Sequence, residues 1–229
     1  MCGRFVLRNA EQIPLRFGAT ADDAARAALA DRFNIAPTEA IPVVVEAASG
    51  PRQVAIAVWG IAPHRPGVRP FLAFNARAES LTERPTFRPL IACSRCLVPA
   101  SGWYEWTAVA GGKAKQPCYI TDPEGDDLLG LAGLLDRWID QDGTPRAACA
   151  IVTTAAATDD LRALHDRMPA VLPRTAEAAW LDPALTDPHA VLPLLLHPDA
   201  ARLRRWPVSP AVNRSGGSDP AFVQPLNPA

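Results

Sequence analysis

RCLVPASGWYEW, residues 95–106, reads as two short strands joined at a Pro99–Gly102 corner: apolar and aromatic runs interrupted by turn residues. The same pattern continues downstream. PCYITD (117–122), LLGLAGLLDRWI (128–139) and RAACAIVTT (146–154) read as further strands, with Gly125 and Gly143 in the turns. Upstream, IPVVVEA (41–47) and RQVAIAVWG (52–60) form a predicted hairpin about Ser49, Gly50 and Pro51. The second of these runs is apolar at successive positions, which predicts that both its faces are covered. CGRFVLR (2–8) is a first strand and RLRRWPVS (202–209) a late one.

The helical segments are short. NAEQIPLRFG (9–18) and TADDAARAALADRF (20–33) have Asn9 and Thr20 as predicted N-caps, with Asp23 a capping-box-like carboxylate. DDLRALHDRMP (159–169) reads as a helical turn ended by Pro169. TAEAAWL (175–181) and the segment before His197 complete the set. Strands mixed with scattered short helices predict an α+β fold. Its expected form is a mostly antiparallel, twisted, barrel-like sheet with short peripheral helices. Residues 62–80, APHRPGVRPFLAFNARAES, are too polar and too broken by Pro for a core, and loops of that kind tend to carry function.

With 229 residues, 48% of them hydrophobic, the chain is long enough for one compact domain, expected over residues 2–229 after removal of Met1. No apolar run reaches the roughly 18 residues of a membrane span. The start, MCGRFVLRNA, lacks the apolar centre of a signal peptide. The expectation is a cytoplasmic monomer, nucleoid-associated in a bacterium, with no membrane contact. A net charge of −1 excludes a polycation, so nucleic acid would have to meet a local basic surface. Of the 23 basic residues all but Lys113 and Lys115 are arginines. A GC-rich genome accounts for that bias, yet the planar guanidinium also suits phosphate. Five cysteines, an odd number, argue against a disulfide framework. Cys93 and Cys96 form a lone CxxC with no second ligand pair, so no metal is expected. Neither GxGxxG nor GxxxxGK[ST] is present, and no cofactor is expected.

Four clusters carry possible chemistry. Trimming Met1 would leave Cys2 with a free α-amine of pKa about 8 and a thiol of about 8.5, both partly reactive near neutrality. An aldehyde meeting that pair forms an imine with nitrogen, then a five-membered thiazolidine with sulfur. Cys2 alone also fits an incidental buried thiol. FNARAES (74–80) offers Asn75 to orient a sugar or imine, Arg77 for phosphate, and Glu79; it equally fits a turn Asn and a surface Arg. In PASGWYEW (99–106), Glu105 alternates with Tyr104 and Trp106, and a carboxylate beside aromatic bulk suits acid–base work, unless it is a solvated strand-edge Glu. In LHDRMP (164–169), His165 is an acid–base candidate near pH 7 followed by Arg167. His64, His189 and His197 have no comparable setting.

Together these segments resemble the SOS-response-associated peptidase (SRAP) family of abasic-site shielding proteins. The matching stretches are MCGRF, FNIAPT (33–38), VWGIAP (58–63), FNARAES, RCLVPASGWYEW, LHDRMPAVL (164–172) and WPVSPAVN (206–213), in order from end to end. The resemblance implies a thiazolidine crosslink between Cys2 and the aldehyde of an abasic site in single-stranded DNA, with lyase-like or self-processing peptidase activity. It implies Cys2 as nucleophile, Asn75 as the orienting amide, Glu105 as proton carrier and His165 as the group acting on the sugar oxygen and in reversal. Arg4, Arg77 and Arg167 match positions expected to grip phosphates, and Asn34 matches without an assigned role. Arg84, Arg88 and Phe87, in RPTFRP (84–89), extend the expected DNA-binding surface. One departure is Arg65 in WGIAPHRPGVRPF (59–71), where an aromatic residue is expected, so stacking on bases would fall to Phe71, Phe87 or Arg65 itself. The rival reading is an N-terminal-nucleophile amidohydrolase, which also starts Cys–Gly after Met removal. A DNA-binding module without chemistry is a third.

Overall fold

The computed structural model describes residues 2–47, 50–62, 71–108, 115–122, 128–196 and 202–226. Ser49, His64, Arg65, Lys113, Gly125 and His197 lie outside them. The strands are β1 (Phe5–Leu7), β2 (Ala19–Thr20), β3 (Arg32–Ile35), β4 (Ala40–Val45), β5 (Arg52–Trp59), β6 (Asn75–Arg77) and β7 (Arg95–Ala100). They continue as β8 (Gly102–Ala108), β9 (Lys115–Thr121), β10 (Leu129–Ile139), β11 (Pro145–Ala155), β12 (Arg167–Pro169), β13 (Val171–Leu172) and β14 (Arg204–Pro207). The helices are α1 (Ile13–Phe17), α2 (Asp23–Ala27), α3 (Arg88–Cys93), α4 (Asp159–Arg162), α5 (Arg174–Leu181) and α6 (Pro188–Val191).

Two sheets organise these elements. The larger runs β12-β11-β10-β7-β4-β5-β2, and a parallel β5–β11 pairing closes β11-β10-β7-β4-β5 into a five-strand barrel. Closure removes the sheet edges and encloses Val43, Leu97, Leu131 and Ile151, among other apolar side chains, in the main core. The smaller sheet runs β14-β9-β8-β1-β3. Both are antiparallel in most of their pairings, and the fold is α+β as the sequence predicts.

Residues 95–106 join the two sheets: β7 belongs to the barrel and β8 to the smaller sheet. The chain turns at Ser101 and Gly102. A Cβ on Gly102 would stand 2.4 Å from the Ile120 carbonyl oxygen, so the corner closes only on glycine. Beyond it the side chains alternate: Trp103 packs in the main core and Tyr104 in a second cluster with Val6, Tyr119, Val208 and Val212. Trp59 couples the layers. Its ring meets Phe5 edge-on at 5.2 Å and Phe74 at 6.2 Å, and its Nε1 donates to the Phe74 carbonyl at 2.8 Å. This fully buried indole therefore ties β5 to β1 and to the residue before Asn75, and its truncation to alanine is expected to cost about 3–5 kcal/mol.

Three local expectations are corrected. Thr20 does not cap a helix: it is extended in β2, opposite Gln53, and Asp22 caps α2 by accepting from Ala25 N at 2.7 Å. Asn9 precedes a 3-10 turn in a left-handed conformation (φ 54°) without a side-chain capping bond. Residues 167–169 are not a helix end but strand β12, paired with Thr153–Ala155; the helical turn stops at Arg162. Among the described residues no helix is long and apolar enough to cross a membrane.

Candidate active site

Four sequence-predicted residues meet where the two sheets join. Cys2 leads into β1, and Glu105 sits on β8, the neighbour of β1. Asn75 starts β6, which runs parallel to β11 with Asn75 opposite Ile151. His165 lies just before β12, which pairs with the same end of β11. Strand β11 therefore positions Asn75 and His165, and the smaller sheet positions Cys2 and Glu105.

Asn75 Nδ2 donates to the Cys2 carbonyl at 2.8 Å, fixing the backbone at Cys2. Its Oδ1 is buried and accepts no hydrogen bond among the described residues. An unmet buried acceptor is costly, so the position favours any donor that reaches it. Cys2 is wholly buried, and its thiol is pushed up to about 12 by burial and, less strongly, by the Glu105 carboxylate. The thiol is thus neutral in this arrangement. Glu105 is buried, with Oε1 accepting from Trp106 N at 3.3 Å.

A cleft of about 630 Å3 opens over this group, bounded by Gly3, Phe74, Glu105 and His165, with Trp106, Lys115 and Asn213. His165 Nδ1 accepts from the Arg167 backbone N–H at 2.9 Å and also lies 2.7 Å from Asp166 Oδ1. A neutral ring accepting at Nδ1 carries its proton on Nε2; a protonated ring can donate from Nδ1 to Asp166.

The arginines divide. Arg77, Arg84 and Arg88 are exposed, as a phosphate surface requires. Arg4 NH1 instead donates to Asn34 Oδ1 at 2.7 Å and to the Val212 carbonyl at 2.9 Å. Asn34 in turn donates to the Val212 and Arg214 carbonyls, so its role is to bind the late segment 212–214 to β1 and β3. Arg167 forms a two-pronged ion pair with Glu79, at 2.6 and 2.9 Å, and donates to the Thr153 carbonyl. Its side chain is only 11% exposed. In this structure Arg167 clasps the end of β6 to β12 rather than facing a ligand. That clasp holds Glu79's carboxyl below its usual range, mainly through the Arg167 hydrogen bonds. Phe87 offers no stacking face: it is buried in the main core ahead of α3. Phe71 is 43% exposed.

Sequence reasoning gave no role to Lys115 or Asn213. Asn213 lies in a matched stretch, and its Oδ1 accepts from Trp106 Nε1 at 2.7 Å. Nothing local to Lys115 marks it. Cys93 is exposed and Cys96 is buried in the core. Among the described residues no group of three or more His, Cys, Asp or Glu is placed to hold a metal ion.

The geometry agrees with three comparisons. The model of the SOS response associated peptidase family matches residues 1–215. The abasic site processing protein YoaM of Bacillus subtilis is 33% identical, over 93% of this chain and 93% of its own. YoqW of the same organism, with the same description, is 33% identical over 84% and 85%. A crystal structure of a protein from Bacteroides thetaiotaomicron superposes with a TM-score of 0.83 at 26% identity, covering 99% of this chain and all of that one. With a match this long, spanning both sheets and every residue of the cleft, the chain belongs to the SOS response associated peptidase (SRAP) family.

Proposed function

We propose that this protein captures abasic sites in single-stranded DNA by bonding their sugar aldehyde to Cys2. The observation that carries this reading is the Asn75 Nδ2 bond to the Cys2 carbonyl, which holds Cys2 next to the cleft that Gly3, Glu105 and His165 line. The related proteins named for abasic-site processing support the substrate class.

Removal of Met1 comes first, because the amide nitrogen of a Met1–Cys2 peptide bond is not a nucleophile. The family's peptidase description fits cleavage of that same bond. The freed amine then attacks the C1′ aldehyde, which exists once the sugar ring opens with His165 moving a proton at the ring oxygen. Asn75 Oδ1, the unmet acceptor, receives an N–H of the amine and aims its lone pair. Glu105 takes the amine proton and returns it to the departing hydroxyl. One water leaves and an imine forms. The Cys2 S–H then adds across C=N, sulfur to carbon and proton to nitrogen, with no net oxidation. Nitrogen acts before sulfur because the buried thiol is neutral. Ring closure also removes the imine that would promote β-elimination and strand cleavage.

The amidohydrolase alternative would use the same α-amine as the base that takes the Cys2 thiol proton during attack on an amide, so the two readings separate by product. The test is intact-mass analysis before and after mixing with an abasic single strand. The expected result is a mature chain lacking Met1, then a heat-stable adduct equal to chain plus strand minus one water. Cys2→Ala keeps the amine and is expected to give heat-labile imine and broken strands. A heat-stable adduct from Cys2→Ala, or turnover of glutamine or a peptide without any adduct, refutes the reading.

A further inference from the structure

Two of the family-matched arginines are engaged by protein partners and do not line the cleft. Arg4 is tied to Asn34 and Val212, and Arg167 to Glu79 and Thr153. The cleft nevertheless contains a cation, Lys115, at the start of β9. Lys115 is exposed. Its position follows from register. On β8 and β9 Trp106 stands opposite Pro117 and Ala108 opposite Lys115, so Lys115 and Trp106 lie on one face of the smaller sheet, two residues apart along it. Glu105, opposite Cys118, belongs to the other face. The cleft thus reaches from the Glu105 carboxylate around the sheet to an ammonium on the far side, beside an indole anchored by Asn213.

We propose that Lys115 grips the backbone phosphate of a nucleotide flanking the abasic site, supplying within the cleft the charge that Arg4 and Arg167 do not present. This rests on the single-strand reading above. An ammonium on a flexible stem is well matched to a phosphate, because it neutralises the group as a point charge without fixing base identity. It also stands clear of the reacting carbon, so it shapes affinity and strand placement rather than bond making.

The test separates binding from chemistry by using a single strand with a tetrahydrofuran abasic analogue, which has no aldehyde. Dissociation constants are measured across a salt series for the wild type, Lys115→Gln and Lys115→Arg, with melting temperatures confirming that each variant is folded. Loss of one phosphate contact is expected to lower the slope of log affinity against log salt by about 0.7. Over a fourfold rise in salt the wild type then loses about 2.6-fold more affinity than Lys115→Gln. Lys115→Arg retains the wild-type slope. On an aldehyde-bearing strand, Lys115→Gln needs more strand to reach its half-maximal adduct rate. An identical slope in Lys115→Gln, or salt-insensitive binding by the wild type, overturns the proposal. Failure of the wild type to form an adduct while its salt slope still depends on Lys115 overturns the Cys2 chemistry instead.

Discussion

Two concavities of the molecule contrast, and the larger of the two is the apolar one. A groove of about 720 Å3 is lined by Ala78, Thr154, Met168, Val171, Leu192 and Leu195, with Glu79 as its charged residue. The cleft at Cys2 is smaller, about 630 Å3, yet Glu105, His165, Lys115 and Asn213 converge on it. Volume reports where chains pack loosely; chemistry needs several polar groups aimed at one point. The groove draws its lining from the larger sheet and the helical segment after it, whereas the cleft takes Glu105 and Lys115 from the smaller sheet and Asn213 from the late segment.

Glu105→Gln is the sharpest way to strain this contrast. It preserves shape and removes the proton acceptor, and is expected to slow adduct formation by about 100-fold or more. Single-turnover rates on an abasic strand measure it, and a variant within a fewfold of the wild type removes Glu105 from the mechanism.

The two sides should also differ in pH response. The Cys2 thiol, and Cys96 in the barrel, are raised from 9.0 to about 12, chiefly by burial. A raised acid favours the folded state below its unfolded pKa, so their contribution is intact below about 9 and is lost as pH climbs toward about 12. Glu79, at the groove, is lowered from 4.5 by Arg167, so its contribution is present above 4.5 and is lost as pH falls beneath it. Thermal melts should therefore fall by several degrees between pH 8 and about 11. Glu79→Gln should melt below the wild type at neutral pH and converge with it in acid. Parallel curves for the two chains down to about pH 3 would show that the clasp contributes nothing.

The smallest effect is expected in the groove itself. Leu196 is 72% exposed there, and Leu196→Glu should alter stability by no more than about 0.5 kcal/mol and leave adduct formation unchanged. Loss of adduct in that variant would extend the strand's path across the apolar hollow.

Much of this was legible in the sequence. The strands β7 to β11 are recognisable because apolar runs and turn residues alternate at short spacing. Cys2, Asn75, Glu105 and His165 stand out because each sits in a short matched segment. Other readings failed for identifiable reasons. Thr20 looks like a helix cap until its pairing with β5 makes it a strand residue. Phe87 looks like a stacking ring until α3 folds it into the core. The Arg167–Glu79 ion pair was out of view because its two members lie 88 residues apart.

By itself the sequence determined local states and chemical kinds: alternating strands, short helices, a cysteine at position 2, and an excess of arginine over lysine. Only the tertiary structure decided which charges face outward and which neighbours share a cleft. The reason is that a side chain's availability depends on partners brought together from distant parts of the chain, such as Asn75 with Cys2, Arg167 with Glu79 and Trp106 with Asn213, which no short window contains together.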